Sequence, residues 1–148
     1  NPPELNQRHI ICSAISEDGL RFKSEDGARL ADNGITDPEV IKTGDQYLMF
    51  LSRGEETLLA RSTDGLRFDR DRDFVLRAGG VPGAVVLADG RVRVYQTSRE
   101  GIISVLFDPK SGMFKAEEGV RIQGPCGDPA VCPSENGGYV MVLKRFMK

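Results

Sequence analysis

The sequence predicts an all-β protein built from repeated units of four antiparallel strands. Three observations carry this. The heptapeptide Ser16-Glu17-Asp18-Gly19-Leu20-Arg21-Phe22 returns 46 residues later as Ser62-Thr63-Asp64-Gly65-Leu66-Arg67-Phe68. A degenerate copy, Asp108-Pro109-Lys110-Ser111-Gly112-Met113-Phe114, places its Phe a further 46 residues on. The segments between turns are short and rich in Val, Ile, Tyr and Phe, and no window keeps a 3.6-residue apolar stripe for three turns. With 17 Gly and 8 Pro among 148 residues, the chain has the means for many tight turns.

The elements follow in order. Residues 9–31 read as two strands joined by the first Ser-x-Asp-Gly turn, which is half of a repeat. Residues 35–77 hold a full repeat. Thr36-Asp37-Pro38-Glu39-Val40-Ile41 opens it, and Thr43-Gly44-Asp45 turns into Tyr47-Leu48-Met49-Phe50-Leu51-Ser52. A third strand then ends at the second Ser-x-Asp-Gly turn, and a fourth runs to Leu76. Residues 81–123 repeat the plan, with Val81-Pro82-Gly83-Ala84-Val85-Val86, a turn at Ala88-Asp89-Gly90, and Val92-Arg93-Val94-Tyr95-Gln96-Thr97. Residues 128–146 supply only the first two strands, Asp128-Pro129-Ala130-Val131-Cys132 and Tyr139-Val140-Met141-Val142-Leu143. Gly, Asn and Asp in the connections tolerate the positive φ that two-strand turns require. Four antiparallel strands in about 45 residues are the signature of a β-propeller blade. The count is two full blades and two complementary half-blades. Three blades' worth is too little for a closed ring. The expectation is therefore a homodimer in which each terminal half-blade completes the other's, giving six blades. The alternative is that the chain is a fragment of a larger propeller.

Composition excludes some roles. Twenty Lys+Arg against 22 Asp+Glu leave a formal charge of -2 with the signs mixed, so no nucleic-acid partner is expected. No apolar run approaches a membrane span. The absence of a charged-then-apolar leader points to the cytoplasm, a pointer that the non-Met start at Asn1 weakens. His9 is the single His and is remote from Cys12, Cys126 and Cys132, which form no CxxC pair, so neither a metal nor another cofactor is expected. The cysteines read as reduced thiols, and nothing in the spacing calls for a Cys126–Cys132 bridge. Gly79-Gly80-Val81-Pro82-Gly83 leads into a strand and offers no helix N-terminus to a phosphate.

The motifs Asp37-Pro38-Glu39-Val40, Tyr47-Leu48-Met49-Phe50-Leu51-Ser52 and Ala60-Arg61-Ser62-Thr63-Asp64-Gly65-Leu66-Arg67-Phe68 resemble those of five-bladed propeller glycosidases, glycoside hydrolase family 43 and its furanosidase relatives. The Ser-x-Asp-Gly turns resemble the Asp-box of sialidases. The resemblance implies carboxylates where the innermost strands enter a central channel. Matching positions are Asp37, Val81 or Gly83, and Asp128. It implies Asp37 as base or pKa-tuned partner and Asp128 as a second carboxylate. Glu39 is the candidate general acid, on Asp37's face if the strand is regular. No Glu stands at an inner-strand start as the family's acid does, which leaves three roles open: a glycosidase, a non-catalytic sugar-binding or protein-interaction propeller, or a vestigial fragment. The Asp-Pro pairs also suit plain turn capping. Arg53, Arg99 and Arg145 follow the second strand of each repeat and are expected to ring one mouth around a small-molecule or oligosaccharide ligand, although one alternative alignment moves the middle one by a residue. Tyr47, Tyr95 and Tyr139 offer sugar-stacking or packing faces.

Overall fold

A computed structural model describes residues 5–147. Among them no helix forms, and the fold is all-β with several antiparallel sheets, none closed. The amino-terminal segment pairs β1 (Arg8–Ile11) with β4 (Leu30–Asn33) and β2 (Ala14–Ile15) with β3 (Lys23–Ser24). The first sheet orders β5 (Thr36–Thr43), β6 (Gln46–Arg53), β7 (Glu56–Ser62) and β8 (Asp69–Leu76) as a meander. The second runs β9 (Gly80–Val86), β10 (Val92–Thr97) and β11 (Gly101–Phe107). Its fourth strand is broken into β12 (Phe114–Ala116) and β13 (Ile122–Gln123), both paired with β11. A last pair joins β14 (Cys126–Pro133) to β15 (Tyr139–Arg145). The first sheet has the four strands the repeat predicts and the carboxy-terminal segment the expected two. The second sheet has five because its fourth strand is broken, and the amino-terminal segment forms four short strands in two pairs where two strands were expected.

Alternation along the second strands explains how the sheets stack. On β6, Leu48 and Phe50 face the second sheet and meet Ala84, Val92, Val94 and Phe107. Met49 and Leu51 face the other way, toward Leu30 and Ile35. On the second sheet Val85 and Tyr95 face the carboxy-terminal pair, against Val131, Met141 and Leu143. Sheets buried on both faces read as near-continuous apolar runs, which is the pattern of Leu48–Leu51. The joint between the two full sheets is aromatic. Phe74 lies 5.9 Å from Phe50, 5.1 Å from Phe107 and 5.1 Å from Phe114, in tilted and edge-on geometry. Gln96 sits buried in the same joint. Its Nε2 donates to the Gly79 carbonyl at 2.7 Å and to Thr57 Oγ1 at 3.0 Å.

The Ser-x-Asp-Gly turns are structural. Asp64 Oδ1 accepts from the Leu66 and Arg67 amides at 2.8 and 3.0 Å and from Ser62 Oγ at 2.9 Å. Asp18 repeats the set with Leu20, Arg21 and Ser16. Gly19 and Gly65 supply the positive φ each turn needs. Of the aromatic residues closing these turns, Phe68 is buried and Phe114 packs on Phe74, but Phe22 is exposed. All three cysteines are free, Cys126 buried, Cys12 and Cys132 exposed.

Two outcomes follow from this packing. Phe107→Ala should cost about 3–5 kcal/mol in urea unfolding, because a fully buried ring in a joint between two sheets leaves a cavity. The hydrogen bonds to Asp64 hold its carboxyl at about 2, below the ordinary 3.8. A depressed acid contributes stability above its unfolded value and loses it as pH falls through the folded one. Asp64→Ala should therefore lower the melting temperature at neutral pH, and the deficit should shrink between pH 3.8 and about 2.

Candidate functional site

The first strands of the two full sheets and of the carboxy-terminal pair, β5, β9 and β14, share one irregularity near their start. Asp37, Val81 and Asp128 have φ of 50°, 44° and 55°, the non-glycine left-handed residues among those described, and each precedes a proline. Each sits at a register shift against its neighbour strand: between Thr36 and Glu39 of β5 against β6, between Gly80 and Gly83 of β9 against β10, and between Gly127 and Ala130 of β14 against β15. Two residues oppose one, which is a β-bulge, a device that re-aims a side chain. Asp tolerates left-handed φ; for β-branched Val81 it is an outlier costing about 1–2 kcal/mol.

Neighbouring sheets hold these bulges. Ser52 Oγ accepts from the Val81 amide at 3.1 Å, and Thr97 Oγ1 accepts from the Asp128 amide at 3.0 Å. Ser52 and Thr97 occupy the same place on β6 and β10, one past the residue facing the bulge. Strand β9 lies directly against β5 and β14. The approach is close: a Cβ on Gly83 would collide with the Pro129 carbonyl, and one on Gly80 with Ser52 Oγ at 2.6 Å. A cleft of about 630 Å³ opens beside Val81, lined in part by Glu55, Arg77, Gly79, Thr97 and Arg99.

The sequence-predicted residues fall as follows. Asp37 is exposed, and its Oδ2 accepts from Thr36 Oγ1 at 2.7 Å. Asp128 is exposed and pairs with Lys144. The bulge removes the regular alternation on which placing Glu39 on Asp37's face depended. Glu39 is half-buried beside β9, where its Oε1 accepts from the Ala84 amide at 3.4 Å, and burial raises its carboxyl above the ordinary carboxylate range. Arg53 is held by Glu56 at 2.8 Å, and Arg99 reaches across to Glu55 at 3.1 Å. The bulges align Arg53 with Ser98 and Arg145, so Arg99 is one residue out of step with the other two. Arg145 is exposed at the end of β15. Tyr47 is half-buried, its ring 3.4 Å from where a Cβ on Gly65 would lie and 5.4 Å from Lys42 Nζ. Tyr95 is buried between sheets and Tyr139 is exposed.

No family model, curated protein or solved structure matches this chain. The glycosidase resemblance rests on its motifs. Among the described residues, no group of three or more His, Cys, Asp or Glu is placed to hold a metal ion. Sequence reasoning missed Ser52, Thr97, Gln96 and Glu55. A hydroxyl recurring at the end of the second strand, Ser52 then Thr97, was the available signal.

If left-handed backbone at Val81 is a cost that the Asp positions avoid, then Val81→Asn should raise stability by about 1 kcal/mol in chemical unfolding. An unchanged or lowered midpoint would show that the valine is not strained there.

Proposed function

We propose that the two full sheets are propeller blades and the terminal pairs half-blades. A glycoside is bound and hydrolysed at the mouth where the inner strands begin. The carrying observation is the repeated left-handed bulge at Asp37, Val81 and Asp128, on inner strands that lie against one another. Residues kept in sparsely populated conformations at one end of a repeat are typical of ligand-facing positions. Two of the three carry carboxylates, and Glu39, two residues past Asp37, lies against β9 with its carboxyl raised by burial.

Glycoside hydrolysis needs one carboxyl protonated and one ionised. Glu39, whose carboxyl burial raises above the ordinary carboxylate range, is assigned the acid's role and gives its proton to the leaving oxygen as the glycosidic C–O bond breaks. Asp37, exposed at the bulge, takes a proton from the water whose oxygen bonds to the anomeric carbon. Asp128 is the second carboxylate and is ion-paired with Lys144. The ring closes as six blades when a second copy is added.

A second reading is non-catalytic sugar binding. It is favoured by Val81, which puts no carboxylate at the middle bulge, and by the absence of a Glu at any inner-strand start.

Release of nitrophenol from aryl glycosides tests the reading. Asp37→Ala and Asp128→Ala should each reduce turnover by orders of magnitude. Glu39→Gln should slow it and abolish the alkaline limb of the pH profile, because the acid acts only below its raised pKa. Full activity in both Asp variants rejects the assignment. Glycan binding without turnover in the wild type moves the conclusion to the second reading.

A further inference from the structure

The two ends of the sheet stack expose positions that are buried everywhere else in it. Phe50, Tyr95 and Val142 occupy one structural position, each paired with the residue two past the bulge: Glu39, Gly83 and Ala130. Phe50 and Tyr95 are 0% and 6% exposed because the following sheet covers them, whereas Val142 is 68% exposed. On the inner strands Val40, Ala84 and Val131 are likewise equivalent, and each faces the preceding sheet. Ala84 is 4% exposed and Val131 packs in the last joint, but Val40 is 46% exposed. Val142, with Val140 beside it, and Val40 are thus the two sides of one unformed inter-sheet joint. The strand edges match as well. The second strands β6 and β10 are each paired with a third strand, whereas among the described residues β15 has β14 alone. The amino-terminal hairpin, equivalent to third and fourth strands by the 46-residue offset, pairs with no second strand among the described residues.

We propose that a second copy of this chain fills the gap, β15 of each copy pairing with the 8–16 segment of the other, so that both open faces and both open edges are covered at once. This rests on the blade reading of the sheets. Both complete sheets give the same register. Leu51 pairs with Leu58 in the first and Tyr95 with Ser104 in the second. Carried to the termini by the 46-residue offset, the first places Leu143 opposite Cys12 of the second copy. Ser104, the partner of Tyr95, corresponds to Leu59, the partner of Phe50, so the second sheet places Val142 opposite Ser13 of the second copy, which is the same alignment. Met141 then stands opposite Ala14. The partner also contributes to the mouth proposed above: among the described residues β9 is the one first strand packed against β5, and the second copy supplies a strand on its other side.

The register makes the test specific. Light scattering at micromolar concentration should give twice the 16.2 kDa chain mass. Leu143→Cys should form a covalent dimer under mild oxidation through the native Cys12, and Cys12→Ser should abolish it. Should Leu143→Cys fold poorly, Ala14→Cys with Met141→Cys in a Cys12→Ser background should cross-link instead. A monomeric mass overturns the proposal. So does a cross-link from Leu143→Cys that survives Cys12→Ser, because the dimer would then use another surface. Monomeric protein that still cleaves aryl glycosides overturns the dimer and leaves the sugar reading in place. A dimer with the expected cross-link and no sugar binding does the reverse.

Discussion

The structure depends on one constraint: the second strand of each full sheet is buried on both faces. Leu48 and Phe50 point to one neighbour, Met49 and Leu51 to the other. Burying a single large apolar side chain is worth about 1.5–3 kcal/mol, so a β6 left bare on either side would forfeit several such terms. No sheet of this protein is therefore stable without neighbours, and stability must be shared along the stack as it is in repeat proteins. The aromatic joint of Phe50, Phe74 and Phe107 and the polar link of Gln96 with Thr57 and Gly79 both serve the same interface.

That stacking also sets the site. Once sheets lie face to face, their first strands lie side by side, and β9 presses on both β5 and β14. The space is so small that glycine is required at positions 80 and 83. Two of the three bulged residues have their amides bound by a hydroxyl of the sheet before them, Val81 by Ser52 and Asp128 by Thr97. A left-handed residue before proline is unfavourable locally. It persists here because the neighbouring sheet over-determines it, which is how strain is stored at a site. The orientation of Asp128 is thus a property of the joint and not of its own hairpin.

Much of this was legible in the sequence. The heptapeptide repeat located the strands, and the turn chemistry of Asp18 and Asp64 followed from residue type alone. What depended on backbone conformation was not legible. Val81 gives no sign of left-handed φ, since a β-branched residue argues against it. The bulge it makes shifts the count by one, which is why Ser98, and not Arg99, falls in step with Arg53. The same bulge at Asp37 undoes the alternation that would have put Glu39 on its face. Phe22 and Phe68 end heptapeptides that differ at one position, yet one is exposed and one buried, because only the second hairpin has a preceding sheet to cover it.

The ion pairs at the mouth bear on what it would hold. Arg53 is taken by Glu56, which also meets Arg77 at 3.4 Å, and Arg99 is taken by Glu55. Two glutamates thus offset three guanidiniums within adjacent turns. These pairs are partly or wholly exposed, so each contributes little stability. Their effect on charge is larger: an anionic ligand would have to compete with Glu55 and Glu56 for the arginines, while Asp37 would repel it. A neutral sugar meets no such penalty, and its hydroxyls suit a rim of paired charges and strand-end hydroxyls. Under the glycoside reading, the mouth therefore selects by hydrogen bonding and not by net charge.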